Sequence, residues 1–513
     1  MRVLIMNPPS QPQEMSGVSF IKWLFSTFLD SRVLRIFGLE ALGIGYLATS
    51  LRQIGVKVDV IDACLLELDI PTCVDLACKD DYDLIGISCI QASITEIWDF
   101  ARQIREKNYQ GKIVLGGDFA TLNAEKILDE MAEIDFVIRG DGEEPLIALV
   151  QSLGMKQQWE VIPNLVWREG GAIKEGPRTK WNLNRDQCSH PSRDYAEIAL
   201  AKSKTRTLGI LSSSGCGYGF CSFCSPGKVS GNYSSRWCPR CPSGVVAEIV
   251  DVWNRLRPDW ISFVDTDFIG RSEHGRNRAR EILQGCRERG VGAKFIFSCR
   301  ADEVEYDTFK ALKRFGAEQV FVGFESFVDC RLRRFNKGTS AKTNWDAIKI
   351  LDDLGIHYIP GHIIFDPYVR IDEVMDEIAA YEKMDYYALH KLTKSLCVLP
   401  STHMWETLRN EGLLQGDYKG YEYSIIDDKA QKLRTKLNDV QRKMHPSFIR
   451  YYEAHPTWDF SSETRNRIKS GHLGIAKHLC ELIEKGAAEN EVEDFLKIET
   501  DRILSYLGEH VEV

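Results

Sequence analysis

Three cysteines within nine residues are the most specific chemical feature of this sequence. Cys216, Cys221 and Cys224 stand in the stretch GCGYGFCSFC, which has glycine at positions 215, 217 and 219. Cysteine thiolates are the usual protein ligands of iron–sulfur clusters, and glycines let the backbone fold tightly around such a group. Three ligands on a four-iron cluster leave one iron open. The spacing therefore indicates a cluster whose open iron binds a substrate or cofactor.

A second cysteine pair supports an alternative to the cluster. Cys238 and Cys241 form a C-x2-C motif in WCPRCP. Together with Cys221 and Cys224 they would supply the four ligands that a structural zinc site normally needs. In that case the chain is a zinc-stabilised binding protein. Taken alone, the pair indicates a structural loop or a secondary redox or metal site.

The elements that must position these cysteines alternate between strand and helix from about residue 207. Helical patterns separate six strand candidates, and together they predict a partial parallel (β/α)6 barrel. Such a barrel places its chemistry at the carboxyl ends of its strands, and the cysteine stretch follows the first of them. The predicted strands are 208–211, 260–264, 294–298, 319–324, 358–365 and 388–398.

The first 155 residues or so show the same alternation and predict a doubly wound, Rossmann-like parallel sheet. Its strands are predicted at 2–6, 57–61, 84–88, 112–115 and 136–138. Sheets of this kind bind ligands beyond the carboxyl ends of their strands. Five candidate binding residues fall at those ends: Asn7, Ser88, Gly116, Gly117 and Gly140.

These patterns divide the chain into four regions. The sheet domain covers 1–155, a linker with a small hairpin near 170–171 covers 156–200, the partial barrel covers 201–415 and a helical region covers 416–513. An extra apolar segment at 18–37 lies between the first strand and the first helix. The sequence leaves open whether that segment is a lid or an interface helix.

The cysteine stretch resembles that of the radical S-adenosylmethionine superfamily, whose usual spacing is C-x3-C-x2-C with an aromatic before the last cysteine. Phe223 occupies the aromatic position, and the first gap here is one residue longer. Further blocks resemble those of the family and follow in the same order. They are VVAEI at 245–249, ISFVDTDF at 261–268, CRAD at 299–302, GFES at 323–326, NKG at 336–338 and LPST at 399–402.

The resemblance implies a [4Fe-4S] cluster on Cys216, Cys221 and Cys224 and a binding site for S-adenosylmethionine. The residues implied to approach S-adenosylmethionine are Asp265, Asp267, Arg300 and Glu325. The catalytic candidates are Cys299 and Tyr421, the latter one of four C-terminal tyrosines with 423, 451 and 452. Simpler interpretations are open for most of them: helix caps for the two aspartates, a surface ion pair for Arg300 and core packing for Cys299 and the tyrosines.

The amino-terminal region is similar to the cobalamin-binding domain that is fused to many radical S-adenosylmethionine enzymes. The similar blocks are GIGYL at 43–47, LIGIS at 84–88, VLGGDFAT at 114–121 and IRGDGEEPL at 138–146. The resemblance implies bound cobalamin. However, the motif D-x-H-x-x-G, whose histidine ligates cobalt in other cobalamin domains, is absent. Two alternatives therefore remain open: the domain only supports the barrel, or it binds another nucleotide.

Composition excludes some classes of protein. The formal net charge is −9, from 65 basic and 74 acidic residues, which does not suit a nucleic-acid binder with a basic face. No apolar run approaches the roughly 20 residues of a membrane span. The first residues lack a signal-peptide cleavage site. We therefore expect a cytoplasmic protein whose cysteines are mostly reduced.

Together these features predict a cobalamin-dependent radical S-adenosylmethionine methyltransferase. It would methylate an unactivated centre of a small metabolite or biosynthetic intermediate, with a reductant such as flavodoxin or ferredoxin. A non-methylating radical enzyme that performs dehydration, rearrangement or cyclisation is the alternative. A transfer-RNA methylthiotransferase is disfavoured, because the amino-terminal region lacks a second compact cysteine trio and the chain ends in the acidic stretch EHVEV.

Overall fold

The structure is a computed structural model that describes residues 1–9, 40–90, 93–153, 156–179, 185–203, 205–225, 237–384, 392–454 and 462–509. The apolar segment predicted at 18–37 lies outside these residues. Within them, the chain forms one sheet domain, a second parallel sheet with covering helices, and a C-terminal group of helices.

The first sheet has seven strands in the order β2-β1-β3-β4-β5-β6-β7. They are β1 (Arg2–Asn7), β2 (Lys57–Asp62), β3 (Leu84–Ser88), β4 (Lys112–Gly116), β5 (Phe136–Ile138), β6 (Leu165–Glu169) and β7 (Ala172–Glu175). The first five are parallel, as predicted. Their helices are α1 (Leu42–Gln53), α2 (Ala63–Leu66), α3 (Ile70–Cys78), α4 (Ile94–Glu106), α5 (Asp118–Glu130) and α6 (Glu143–Ser152). The strand order reverses between β1 and β3, where such sheets bind ligands.

The predicted hairpin near 170–171 is formed by β6 and β7, and it extends the first sheet. β6 pairs antiparallel with both β5 and β7. Trp167 on β6 is buried and packs edge-on against Trp159, with ring centroids 6.3 Å apart. The hairpin thus covers the β5 edge of the parallel sheet. It is followed by α7 (Ala196–Lys202).

The second sheet has five parallel strands in the order β14-β13-β12-β11-β8. They are β8 (Thr207–Ile210), β11 (Trp260–Phe263), β12 (Lys294–Arg300), β13 (Ala317–Glu325) and β14 (His357–His362), with the short pair β9 (Ser213–Ser214) and β10 (Cys238–Pro239) beside them. The covering helices are α8 (Pro242–Leu256), α9 (Glu273–Glu288), α10 (Tyr306–Arg314), α11 (Asp329–Arg334), α12 (Ala341–Leu354) and α13 (Ile371–Lys383).

The prediction of a sixth barrel strand at 388–398 is wrong over the described part of that segment. Residues 392–398 form only a single parallel bridge, between Phe365 and Ser395. The backbone bonds there involve residues beyond the end of β14, such as Leu396 N–H to Phe365 O at 2.7 Å. The apolar run therefore reaches the sheet after β14 has ended, so no strand ladder forms.

The C-terminal region is mainly helical, as predicted, and also contains a hairpin. Its elements are α14 (His403–Asn410), β15 (Leu414–Asp417), β16 (Gly420–Tyr423), α15 (Asp428–Ala454), α16 (Ser462–Glu484) and α17 (Glu489–Glu509). Tyr418 in the hairpin donates to Glu130 of the sheet domain at 2.9 Å and stacks on Phe119. In the described part of the chain, no helix has the length and apolarity to cross a membrane.

A buried ion network holds α11 against the second sheet. Arg331 lies 3.0 Å from Asp366 and 2.7 Å from Glu377, and all three side chains have no exposed surface. Arg331 also donates to the carbonyls of Ile363 and Ile364. Because α11 connects the end of β13 to residues 336–338, this network fixes the segment beneath the cysteine stretch.

Replacing Arg331 with methionine leaves Glu377 without its arginine and Asp366 with Arg334 alone. Removing one partner of a buried ion pair costs about 3–5 kcal/mol. We expect Arg331→Met to lower the free energy of unfolding by that amount in urea titrations. The matched control is Arg333→Met, on the exposed side of the same helix, which should change it by less than about 0.5 kcal/mol. Equal losses in both variants would contradict the role of the network.

Candidate functional site

The cysteine loop (residues 215–224) follows β8 and is held at its base by Asp265. This carboxylate accepts hydrogen bonds from Ser212 N–H at 2.7 Å, Ser212 O–H at 2.5 Å and Ser213 O–H at 2.7 Å. Burial raises the pKa of Asp265, while the serine donors favour its charged form. The structure therefore gives Asp265 a role in supporting the loop, and its implied approach to S-adenosylmethionine stays a prediction.

Asp267 holds the middle of the cysteine loop. One carboxylate oxygen accepts from Gly217 N–H at 3.0 Å, and the other accepts from Gly270 N–H at 3.0 Å. Its backbone carbonyl accepts from the Trp237 indole at 2.7 Å. The acidic pair 265 and 267 thus belongs beneath the loop, where it orients the backbone that carries the first cysteine.

The NKG turn (residues 336–338) holds the other side of the cysteine loop. Tyr218 O–H donates to Asn336 O at 2.8 Å, and the Asn336 side-chain amide donates to Phe220 O at 2.8 Å. A Cβ at Gly338 would lie 2.7 Å from the Tyr218 hydroxyl oxygen, and its φ is +70°. Glycine is therefore required at 338 both by conformation and by space.

The three predicted ligands lie together in this loop. Tyr218 N–H points at the Cys216 sulfur at 3.4 Å, and Arg300 Nη1 lies 3.9 Å from the Cys221 sulfur. Burial, together with the neighbouring charges of Cys221 and Cys216, raises the pKa of Cys224 to about 12. These mutual effects place the three sulfurs in one electrostatic environment. A bound metal would deprotonate such thiols.

The donor set fits an iron–sulfur cluster better than a zinc ion. Across the described residues, no group of three His, Cys, Asp or Glu side chains converges as a single metal ion requires. Among the described residues, Cys221 and Cys224 are not grouped with Cys238 and Cys241 as the predicted alternative zinc site would require. Cys238 lies on β10, and the exposed Cys241 contacts Ser243 instead, at 3.2 Å. A cluster needs thiols at separate corners, and the loop offers three of them.

Two buried cations lie beside Cys221. Arg300 pairs with Asp302 at 2.8 Å, donates to the Lys337 carbonyl at 2.6 Å and lies 4.2 Å above the Tyr218 ring. Burial works against the charge of Lys337, but Glu325 and Cys221 outweigh it and raise its pKa. Positive charge at this position stabilises anionic sulfur ligands. The structure thus brings the predicted Arg300 to the loop.

Lys337 was missed as a site residue by sequence reasoning. The NKG block marked its position, but the motif gave no reason to separate its lysine from its neighbours. In the structure, Lys337 Nζ lies 2.9 Å from Glu325 Oε1.

Glu325 ends β13 in a strained conformation. Its φ is +65°, in the left-handed region, and the register with β14 shifts between Gly323 and Glu325. Strain of this kind persists where surrounding contacts fix it, and it is common at functional sites. The predicted position of Glu325 at the mouth of the sheet agrees with this geometry, while its contact with a nucleoside stays a prediction.

The two catalytic candidates lie in packed surroundings. Cys299 on β12 is 4% exposed, and burial raises its pKa well above the ordinary value. Tyr421 lies on β16, in the hairpin, and packs edge-on against Trp405 with ring centroids 5.9 Å apart. Tyr423 donates to the Phe365 carbonyl at 3.0 Å. Packing against neighbouring residues accounts for the burial of these side chains. Catalytic roles for Cys299 and Tyr421 therefore stay predictions. The side chains at 451 and 452 lie outside the described residues.

A cleft of about 270 Å³ lies at the carboxyl ends of the first sheet. Four of the five predicted residues line it: Ser88, Gly116, Gly117 and Gly140. The fifth, Asn7, instead donates to Asp62 at 2.8 Å, at the end of the neighbouring strand. A Cβ at Gly116 would meet only the Ile138 carbonyl, at 3.9 Å. The glycines therefore leave the floor of this cleft as bare backbone, which suits a large, flat cofactor or its tail.

The charged residues of this cleft were also missed by sequence reasoning. Arg185 reaches it from the linker and pairs with Asp141 at 2.8 Å and Glu143 at 3.0 Å. Asp118, at the start of α5, lines it as well. The acidic residues fall within blocks that resemble the cobalamin domain, but Arg185 stands in a stretch without periodicity that could have marked it.

The cysteine loop at the mouth of one parallel sheet and the glycine-floored cleft of another together form the fold of cobalamin-dependent S-adenosylmethionine radical enzymes. Residues 37–150 match the family model of the B12 binding domain. The structure of the cobalamin-dependent S-adenosylmethionine radical enzyme OxsB, with aqua-cobalamin and S-adenosylmethionine bound, superposes with a TM-score of 0.76. The match covers 100% of this chain and 80% of OxsB at 17% identity, and it shows the fold.

Two curated relatives extend this likeness to sequence. An uncharacterized methyltransferase of Pyrococcus horikoshii is 25% identical over 428 residues, which are 82% of this chain and 90% of that protein. The hopanoid C-3 methylase of Methylococcus capsulatus is 25% identical over 446 residues, 85% of this chain and 80% of that protein. The resemblance on which the family prediction depends is thereby confirmed.

Gly338→Ala tests the contact between the NKG turn and the cysteine loop. The added methyl group displaces Tyr218, so we expect a lower iron content after anaerobic reconstitution, measured as iron per chain. Gly290→Ala is the matched control: its φ is +78° and its Cβ meets no atom within 4 Å. That variant should lose only the roughly 1–2 kcal/mol of a left-handed alanine and keep its iron. Equal iron in both variants would exclude the steric role.

Gly116→Val tests the cleft of the first sheet. A Cβ at this position makes one ordinary contact, with the Ile138 carbonyl at 3.9 Å, and Gly116 lines the cleft, so a larger side chain there takes up cleft volume. We expect at least a tenfold weaker binding of cobalamin, followed by absorption spectroscopy, with unchanged thermal stability. Gly474→Val on α16 is the control, since a Cβ there meets nothing within 4 Å and lies away from the cleft. Unchanged cobalamin binding by Gly116→Val would show that the cofactor lies elsewhere.

Proposed function

We propose that this chain is a cobalamin-dependent radical S-adenosylmethionine methyltransferase. Its substrate would be a small metabolite or biosynthetic intermediate, which it methylates at an unactivated centre. The observation that carries the proposal is the joint presence of a three-thiol loop and a glycine-floored B12-type cleft in one chain. The methyltransferase relative from Pyrococcus horikoshii, matched over 90% of its length, supports methyl transfer as the reaction.

The residues present fit the implied cofactors. Cys216, Cys221 and Cys224 would hold a [4Fe-4S] cluster, and the cleft lined by Ser88 and Gly116 would hold cobalamin. When bound, these groups and S-adenosylmethionine supply a 5′-deoxyadenosyl radical that removes a substrate hydrogen and a methyl group that replaces it. The protein supplies position and the exclusion of water, which are worth up to about 7–11 kcal/mol for well-oriented reactants.

Each part of the chain has a role in this positioning. Asp267 and the NKG turn hold the ligand loop from opposite sides, and Arg300 places positive charge beside Cys221. We propose that Glu325 and Arg300 contact S-adenosylmethionine at the sheet mouth. The contact of Tyr418 with Glu130 keeps the C-terminal hairpin against the sheet domain.

The remaining assignments are part of the same proposal. A one-electron reductant of the flavodoxin or ferredoxin class would deliver electrons to the cluster, in the cytoplasm, and nucleic acid is not a partner. We propose four structural units, with the β6–β7 hairpin of the second packed on the sheet domain. Their bounds are 1–155, 156–200, 201–415 and 416–513.

The test is anaerobic reconstitution followed by incubation with methyl-labelled S-adenosylmethionine and candidate substrates. We expect iron and sulfide in the wild type and loss of both in the triple variant Cys216→Ala, Cys221→Ala, Cys224→Ala. The matched control, Cys238→Ala with Cys241→Ala, keeps the cluster. Release of 5′-deoxyadenosine with a labelled product supports methyl transfer. Release without label in any product favours the non-methylating alternative, and full iron in the triple variant refutes both.

A further inference from the structure

Lys337 is fixed at both ends inside the fold. Its side chain is 6% exposed, and its ammonium nitrogen lies 2.9 Å from Glu325 Oε1. Its backbone carbonyl accepts a hydrogen bond from Arg300 Nη2 at 2.6 Å. Because a buried lysine is costly unless it is paired, the contact with Glu325 is the reason that this side chain can lie here.

Gly323 leaves the room for this ion pair. A Cβ at position 323 would lie 2.9 Å from Lys337 Nζ and 2.9 Å from Glu325 Oε1. The two charged groups therefore meet directly against the bare backbone of β13. Glu325 holds its left-handed conformation at the same point, and such strain needs a neighbour that fixes it. Lys337 is placed to be that neighbour.

The pair leaves one carboxylate oxygen of Glu325 available. Lys337 donates to Oε1, and within the described parts of the chain no residue donates to Oε2. An ionised carboxylate has about four acceptor positions, so Glu325 can bind Lys337 and a ligand hydroxyl or amine at the same time. Without Lys337, the carboxylate loses the side-chain donor that the structure gives it.

We infer that Lys337 is a positioning residue, which holds the Glu325 carboxylate toward the S-adenosylmethionine site and acts on that molecule through Glu325. The inference rests on the proposed function. It makes Lys337 and Glu325 one unit, so removing either member weakens binding, and removing both is no worse than removing Glu325 alone.

Equilibrium dialysis of S-adenosylmethionine against the reconstituted protein tests this inference. Lys337→Met and Glu325→Gln should each weaken binding by about tenfold or more, the usual value of a lost charged hydrogen bond. The double variant should match Glu325→Gln, and Lys337→Arg should recover most of the affinity. Lys342→Met is the control, since Lys342 is 83% exposed on the neighbouring helix α12, and its affinity should equal that of the wild type.

Several results would overturn the inference. Losses that add in the double variant show that Lys337 acts independently of Glu325. If Glu325→Gln binds S-adenosylmethionine as tightly as the wild type, the Glu325 carboxylate does not contribute to binding and Lys337 has no carboxylate to position. If Lys337→Met fails to fold, the double variant is used instead, because it removes both buried charges. An affinity for S-adenosylmethionine below that of Glu325→Gln would then contradict the inference. Iron and sulfide are measured in the wild type and in every variant, and affinities are compared at equal cluster content, because Lys337 also lies beside the cluster ligand Cys221. A wild type without a cluster overturns the proposed function as well, whereas a loaded wild type with Lys337→Met equal to Lys342→Met overturns this inference alone.

Discussion

Three partly buried cysteines in one loop have thiol pKa values raised by burial, so binding them as thiolate ligands would concentrate negative charge that the protein must balance. The cysteine loop does this with two cations that are themselves buried, Arg300 and Lys337, each held by a carboxylate. The same two residues meet through the hydrogen bond from Arg300 to the Lys337 carbonyl. Charge compensation and loop geometry are therefore one arrangement, and the strand ends and helices nearby are placed to support it.

This arrangement extends outward through the fold. The NKG turn that contacts the cysteine loop follows α11, and α11 is held by the ion network of Arg331 with Asp366 and Glu377. Buried ion pairs are a weak source of stability, because desolvation cancels much of their attraction. Their value here is in fixing a register: a shift of α11 along the sheet would separate the carboxylates from Arg331 and would also move residues 336–338 away from Tyr218.

Much of the fold could be predicted from sequence because parallel strands buried on both faces are continuous apolar runs. The strands RVLIMN at 2–7 and LIGIS at 84–88 are of this kind. The segment 388–398 also contains apolar residues, although His390, Lys391 and Lys394 interrupt them, and over its described part it makes only a bridge at Ser395. Apolar character reports burial, and it does not report where a segment meets the edge of a sheet.

The part of the candidate site that could be predicted is the cysteine trio, because three closely spaced cysteines among glycines have few functions other than binding a metal or cluster. The site was not predictable where function depends on a partner distant in sequence. Lys337 takes its role from Glu325, and Asn7 is drawn toward Asp62 rather than the cleft. The sequence identified Asp265 and Asp267 as candidate cofactor-binding residues. The hydrogen bonds that they accept from Ser212 and Gly217 show that they support the loop. Such pairings exist only after folding.

The central claim is that three cysteines bind a cluster with one open iron. Electron–nuclear double resonance of the reduced cluster, with S-adenosylmethionine isotopically labelled at its amino and carboxylate groups, tests it most directly. The account predicts that the labelled nuclei couple to the cluster, since they coordinate the open iron. Absence of coupling in a protein that contains the cluster and binds S-adenosylmethionine, or a purified protein that contains zinc in place of iron, would contradict it.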